Sequence, residues 1–167
     1  VELDARLGGY VRDWFDIPRP PPVKIRPGDA AEVTASFTAE SRDIVIRDVF
    51  SGDSTPSALT TTEFAQQVYQ ALTPGGLYLA NCGARSGVHD ARAEIARLQE
   101  IFAEVAVISD AGTLQGRSGG NMVLVATDAQ LPQAGSPAAD QLRSVLLRGA
   151  VPAQYLDADQ TQNWSRE

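Results

Sequence analysis

Three acidic side chains stand where short strands are predicted to end. Glu2 ends an N-terminal strand segment, and Asp29 follows a second strand within a Pro-Gly-Asp-Ala sequence. Asp48 lies near the end of the apolar run DIVIRDV. In an open α/β sheet, ligands bind beyond the carboxyl ends of the strands. These carboxylates, with Asn81 at the end of the next strand, are therefore the first candidates for a functional site.

Each carboxylate has a functional and a structural interpretation. Glu2 can accept hydrogen bonds from both ribose hydroxyls, or be a solvated strand-end residue, while Asp4 is a candidate cap for the following helix. Asp29 can accept an adenine amino proton where Gly28 lets the backbone approach a flat ligand, or it can cap the next helix. Asp48 can be a general base, a cation binder or a turn residue. Function is favoured for Asp48, because a charge beside an apolar strand has to reach solvent, a partner or a ligand.

The composition limits the classes of function. The chain has 167 residues, 43% of them hydrophobic and 21% charged, which is typical of one globular domain. Its 14 basic and 21 acidic residues give a formal charge of −7, which argues against nucleic acid or an anionic membrane as the main partner. One cysteine excludes an intrachain disulfide, no apolar run spans a membrane, and no cluster has metal-ligand spacing. We expect a cytoplasmic protein without a metal.

Strands and helices alternate along the predicted chain, which indicates an α/β sheet with helices on both faces. Strands are predicted at 1–4, 23–26, 43–49, 77–81, 105–109 and 122–127, and helices at 5–15, 29–37, 60–72, 90–102 and 138–148. The apolar run 43–49 predicts a strand buried on both faces, and Thr60 with Glu63 predicts a capping box. The last strand follows a Gly-Gly-Asn turn and is expected to be antiparallel. Residues 1–131 form the predicted main domain, and 132–167 form a C-terminal helix with a partly ordered tail.

The sequence resembles the polyamine aminopropyltransferases, the spermidine synthases, over about residues 1–128. The segments that carry the resemblance are VELD, PGDA, DIVIRDVFSGDSTPSALTTTEF and LTPGGLYLANC. The resemblance implies the Rossmann-like fold of the class I methyltransferases, with a mostly parallel sheet and an antiparallel last strand. It also implies transfer of the aminopropyl group of decarboxylated S-adenosylmethionine to a polyamine such as putrescine.

The same resemblance implies roles for individual residues. Glu2 would hold the ribose hydroxyls, and Asp29 with the Ala30 backbone N–H would hold the adenine. Asp48 would contact the cosubstrate and deprotonate the attacking amine. Ser51 stands where the family has a second aspartate, so Ser51 and the nearby Asp53 are the predicted contacts of the polyamine.

Several family features are not found in this sequence. The glycine-rich first motif, the first strand and the N-terminal β-hairpin domain would all precede Val1, and the first strand would lie between those of Glu2 and Asp48. Two other functions therefore stay open: an S-adenosylmethionine-dependent methyltransferase, and a non-catalytic domain used for binding or assembly. The family is commonly oligomeric, so a homodimer also stays open.

Two remaining reactive side chains have structural interpretations. Cys82 follows a strand, where a buried inert thiol is expected rather than a nucleophile. His89 has no serine or cysteine partner at a catalytic spacing, and we expect it at the surface near a helix start.

Overall fold

A five-stranded mixed sheet forms the centre of the computed structural model, which describes residues 1–83 and 88–167. Along the chain the strands are β1 (Arg42–Arg47), β2 (Leu72–Gly83), β3 (Glu104–Ser109), β4 (Asn121–Thr127) and β5 (Gln154–Leu156). They lie side by side in the order β1-β2-β4-β3-β5. β1 is parallel to β2, and β4 is antiparallel to both β2 and β3. β1, β2 and β3 therefore share one direction, and the antiparallel orientation predicted for 122–127 is confirmed.

Most helices begin at a side chain that caps the first turn. The helices of the described residues are α1 (Leu7–Phe15), α2 (Ala30–Ala35), α3 (Thr62–Ala71), α4 (His89–Gln99), α5 (Ala111–Leu114), α6 (Pro137–Leu146) and α7 (Ala158–Ser165). Side-chain oxygens of Asp29, Thr61, Asp110, Ser136 and Asp157 each accept an N–H of the first turn. These N–H groups have no partner within the helix, so the caps define where the helices start.

The capping box predicted for Thr60 with Glu63 is wrong, because the residue that caps α3 is Thr61. The Thr61 hydroxyl accepts the Phe64 N–H at 3.1 Å and caps α3. The Thr60 hydroxyl instead donates to the Ser57 carbonyl at 3.1 Å, which closes the 3₁₀ turn Ser57–Leu59. Thr60 is therefore used by the preceding turn, and the helix begins after it.

Both faces of the sheet carry apolar side chains, and the larger core lies under α3, α4 and α7. Val68, Ile95, Leu98, Met122 and Leu124 are fully buried there. On the other face, α6 packs its Leu142 and Leu146 near β3, β4 and β5. The sheet is thus covered fully on one face and only in part on the other.

The prediction of a partly ordered tail is wrong for residues 154–165. β5 pairs with β3, and the buried Tyr155 donates to the Pro132 carbonyl at 3.0 Å. The Trp164 indole N–H donates to the Leu114 carbonyl at 2.9 Å. Side-chain burial late in the chain, which the weak local pattern does not reveal, fixes this segment against the sheet.

The strands predicted at 1–4 and 23–26 are not extended ladders. A single bridge joins Glu2 to Pro27, with the Glu2 N–H donating to the Arg26 carbonyl at 3.0 Å and the Gly28 N–H donating to the Glu2 carbonyl at 2.9 Å. Within residues 1–83 and 88–167 neither segment pairs with β1. Strand pairing needs a partner over several residues, so the local β propensity yields only this bridge.

The prediction that β1 is buried on both faces is also wrong. Val45 and Arg47 point toward the core under α3 and α4, whereas Ile44 and Ile46 are 53% and 67% exposed. α6 covers the β3 side of that second face, and no described residue covers Ile44 and Ile46. An apolar run indicates that a strand favours burial, but the elements that pack on each face of the sheet determine how far the strand is buried.

Leu124 offers a direct test of the position of β4. It is fully buried in a strand that is paired on both edges, so Leu124→Ala leaves a cavity that the sheet cannot easily close. We expect a loss of about 2–5 kcal/mol in the free energy of unfolding, measured by urea denaturation. Val145→Ala on α6, at a site 60% exposed, is the control and should change stability little. Equal effects of the two substitutions would contradict a central position for β4.

Candidate active site

One cleft brings together most of the predicted site residues. It has a volume of about 590 Å³ and lies between the N-terminal segment, the start of α2 and the end of β1. Glu2, Asp29, Ala30, Asp48 and Ser51 all line it. We call it the main cleft, and its place at the end of β1 agrees with the expected location of a ligand in an α/β sheet.

The Glu2 carboxylate borders the main cleft and also stabilises the turn that follows it. Its Oε1 accepts the Asp4 N–H at 2.9 Å. Asp4 does not cap a helix, because its carboxylate accepts the Arg6 N–H in the turn before α1, which begins at Leu7. The bridge to Pro27 fixes the Glu2 backbone, so the carboxylate has a defined position at the cleft wall.

The capping role predicted for Asp29 is confirmed. Its Oδ1 accepts the N–H groups of Ala31 at 2.8 Å and Glu32 at 3.3 Å, which caps α2. The preceding Gly28 has a φ of +149°, and an added Cβ there would lie 3.0 Å from Val33 Cγ2. Only glycine fits this conformation and contact, so the main-chain path that presents Asp29 to the cleft depends on Gly28.

A hydrogen bond between strand ends positions Asp48. The Asn81 side-chain amide, at the end of β2, donates to Asp48 Oδ1 at 2.9 Å. Asp48 follows β1 directly and is exposed to the cleft. The parallel pairing of β1 with β2 therefore brings together two polar residues that are 33 positions apart.

The structure separates the two predicted polyamine contacts. Ser51 lines the main cleft, whereas Asp53 lines a neighbouring cavity of about 260 Å³ together with Cys82, His89 and Glu94. A tight turn causes the separation: the Ser51 N–H donates to the Ser54 carbonyl at 2.9 Å. The chain reverses between them, so residues two apart face different cavities.

The lining of the main cleft is acidic and apolar. Among its described lining residues there are three carboxylates, Glu2, Asp29 and Asp48, and no lysine, arginine or histidine. Apolar surface comes from side chains such as Phe50 and Leu59. Such a cleft favours a cationic ligand with a flat apolar part. In the described ranges no group of three or more His, Cys, Asp or Glu residues could hold a metal ion.

A third cavity, of about 360 Å³, lies at the opposite end of β2. Tyr69, Gly75 and Asp128 are among its lining residues, and the Tyr69 hydroxyl donates to Asp128 Oδ2 at 2.7 Å. None of the predicted site residues reaches it. The main cleft is therefore the candidate active site.

A buried ion pair between β1 and α4 was not predicted from the sequence. Arg47 and Glu94 have side chains that are 2% and 6% exposed, and the guanidinium contacts both carboxylate oxygens. Burial lowers the pKa of Arg47, but the nearby Tyr78 and Glu94 outweigh burial and leave that pKa above its ordinary value. The sequence did contain a signal, an arginine within the apolar run DIVIRDV. Arg47 is two residues after Val45, so in a strand both side chains point to the same, inward face.

Cys82 and His89 lie where the sequence predicted them. Cys82 is a buried free thiol, and burial, assisted by the Glu94 carboxylate, raises its pKa to about 11. The His89 side chain is 93% exposed at the start of α4, with Nδ1 3.7 Å from Asp90. Neither side chain has the environment of a nucleophile or a general base.

Solved structures that are similar to this chain include spermidine synthases. The chain is 47% identical to a probable spermidine synthase from Corynebacterium glutamicum ATCC 13032, with a TM-score of 0.94 over 98% of this chain and 59% of that one. A spermidine synthase in complex with the transition state analogue AdoDATO is 20% identical, with a TM-score of 0.57 over 97% and 53% of the two chains. A polyamine aminopropyltransferase from Vibrio vulnificus (strain CMCP6) is 26% identical over 106 residues, 62% of this chain and 35% of that protein. No protein-family model matches.

These similarities confirm the resemblance to the spermidine synthases and the Rossmann-like fold that it implied. The chain spans 59% of the Corynebacterium protein and 35% of the Vibrio protein. In the described part of the chain, no helix is both long and apolar enough to cross a membrane.

The pKa of Cys82 gives a test of its burial. Because that pKa is raised to about 11, very little thiolate exists at pH 8, and we expect slow reaction with a disulfide reagent such as DTNB. The rate should rise as the pH approaches 11. Unfolding in urea is the control, since Cys82 is the one cysteine of the chain and should then react fast. Fast labelling of the folded protein at pH 8 would contradict the burial.

Proposed function

We propose that this chain carries the cosubstrate site and catalytic base of an aminopropyltransferase of the spermidine synthase type. The reaction transfers the aminopropyl group of decarboxylated S-adenosylmethionine to a polyamine such as putrescine. The observation that carries the proposal is the convergence of Glu2, Asp29 and Asp48 on one acidic cleft. The similarity to spermidine synthases supports the same reaction class.

The nucleoside end of the cosubstrate is assigned to Glu2, Asp29 and Ala30. An ionised carboxylate has about four lone-pair sites, so Asp29 can cap α2 and still accept a bond from an adenine amino group. By the same count Glu2 can hold the Asp4 N–H and both ribose hydroxyls. Ala30 is the first residue of α2, where its backbone N–H is not used within the helix and can donate to the adenine ring.

The chemical step assigned to Asp48 is a proton transfer. A polyamine is an ammonium in water and has no lone pair for attack, so it must first lose a proton. Asp48 takes that proton, and the amine nitrogen then attacks the methylene carbon bonded to the sulfonium. The carbon–sulfur bond breaks, its electron pair neutralises the sulfur, and methylthioadenosine leaves. The Asn81 amide holds Oδ1 of the base in place during this step.

The acceptor polyamine is assigned to the acidic side of the cleft. Ser51 offers a hydroxyl to an ammonium where the family has a carboxylate, and Asp53 adds negative charge from the adjoining cavity. Cation attraction then rests mainly on Asp48 and its acidic neighbours in the main cleft.

Calorimetric titration of the native protein tests the cosubstrate. We expect tighter binding of decarboxylated S-adenosylmethionine than of S-adenosylmethionine, because the carboxylate that only S-adenosylmethionine carries would face an acidic cleft. Glu2→Gln should weaken methylthioadenosine binding by about 1–3 kcal/mol, as expected for a hydrogen bond to a charged group. Glu32→Gln, on the exposed side of α2, is the control and should leave affinity unchanged.

The other outcomes of that titration each favour a different function. Preference for intact S-adenosylmethionine would indicate a methyltransferase. Binding of none of the three nucleosides would indicate a non-catalytic domain. Unchanged methylthioadenosine affinity in Glu2→Gln would remove Glu2 from the site.

Replacement of the proposed base tests the chemistry. Asp48→Asn keeps the shape of the side chain but cannot take a proton, so aminopropyl transfer should fall about 10²- to 10⁴-fold with nearly unchanged affinity for methylthioadenosine. Asp43→Asn, at the other end of β1 and bonded to Thr73, is the matched control and should retain activity. Full turnover by Asp48→Asn would exclude Asp48 as the base.

A further inference from the structure

We propose that Arg47, paired with Glu94, is a positioning residue for the Asp48 base. The inference rests on the proposed function, in which Asp48 deprotonates the attacking amine. In this role the buried ion pair fixes two parts of the chain near Asp48. One is the end of β2, and the other is the 3₁₀ turn Ser57–Leu59 that follows the loop after β1.

The Arg47 guanidinium joins three separate parts of the chain. It donates to the Leu59 carbonyl at 2.8 Å, to the Asn81 carbonyl at 3.3 Å, and to both carboxylate oxygens of Glu94 on α4. Leu59 lines the main cleft, and the Asn81 side chain donates to Asp48. The guanidinium therefore holds the main chain of Asn81, whose side chain is bonded to Asp48, and the main chain of Leu59, which lines the same cleft as Asp48.

Arg47 acts through these groups and does not reach the cleft itself. Successive side chains of a strand point to opposite faces, so Arg47 faces the core when Asp48 faces the cleft. Its side chain is 2% exposed and does not line the main cleft. Contact with a substrate is therefore excluded for the guanidinium, which separates its role from that of Asp48.

Stability alone is a weak reason to keep this ion pair. Removing two charges from water is costly, and a buried pair is often no better than apolar residues of the same volume. Within the described residues, the buried Arg47 Nε also has no hydrogen-bond partner. What an apolar pair cannot supply is the fork of N–H groups that fixes the Leu59 and Asn81 carbonyls at the same time.

The test replaces the ion pair without leaving a charge unpaired. Arg47→Met alone would leave Glu94 buried and unpaired, so the main variant is the double substitution Arg47→Met with Glu94→Met, which has a similar total side-chain volume and leaves no buried charge. In the native protein we expect kcat for aminopropyl transfer to fall about 10- to 100-fold, because small misplacement of a reacting group has effects of this size. Methylthioadenosine affinity should be unchanged, since Glu2 and Asp29 lie on the other wall.

A conservative variant and a distant control separate positioning from stability. Arg47→Lys keeps the charge but not the fork, and its kcat should lie between those of the wild type and the double variant. Thr127→Val removes a buried hydroxyl that bonds Gly76 at 2.8 Å, at the other end of the sheet. It should lower the melting temperature and leave kcat intact. Loss of kcat in Thr127→Val to the same extent would assign the effect to stability and overturn the proposal.

A spectroscopic signal decides the question even without activity. The Asn81 side-chain amide is hydrogen-bonded to Asp48, and its ¹⁵N resonance is identified by its loss in Asn81→Asp. In the double variant this resonance should shift and exchange with water faster. An unchanged resonance, or a wild-type kcat in the double variant, would overturn the positioning role. Failure of the wild type to transfer aminopropyl groups would overturn the proposed function alone, and the Asn81 resonance would still test the role of Arg47.

Discussion

The Arg47–Glu94 ion pair is the constraint that fixes the ends of β1 and β2 beside the main cleft. β1 is held by the described chain along one edge only, through its pairing with β2. The guanidinium adds a second attachment by linking β1 to α4, to the end of β2 and to the 3₁₀ turn. A buried charge needs acceptors in fixed directions, so it orders these neighbours more strictly than an apolar side chain would.

The polar groups of the main cleft have structural duties as well as the proposed chemical ones. Asp29 caps a helix, Glu2 closes a turn, and Asp48 is bonded to Asn81. Each of these hydrogen bonds uses only part of the hydrogen-bonding capacity of the carboxylate, and it fixes the orientation of the side chain before a ligand binds. Such preorganisation reduces the entropy lost on binding, and it explains how residues from separate segments keep one geometry.

Electrostatics and shape point to the same ligand class. Three carboxylates attract cations where no lysine, arginine or histidine side chain is among the described lining residues, and the apolar side chains beside them suit a flat ring. The proposed sulfonium nucleoside and polyamine both carry the positive charge that such a cleft favours.

The exposed Ile44 and Ile46 lie on the less covered face of the sheet. This apolar surface belongs to β1, the strand at one edge of the sheet, and the main cleft is lined in part by Asp48, which directly follows β1.

The sequence was enough to predict most of the strands and helices from β1 to β4, the carboxylates at the cleft and the similarity to spermidine synthases, because these depend on residue type and local spacing. It also predicted correctly, from the Gly-Gly-Asn turn, that residues 122–127 form an antiparallel strand. The packing of the folded chain was needed to show that this strand lies between β2 and β3, that Asp53 faces another cavity, and that residues 154–165 form a strand and a helix. It also decided that β1 is buried on one face and that Arg47 meets Glu94. These outcomes depend on contacts between residues far apart in the chain, and no local pattern specifies such partners.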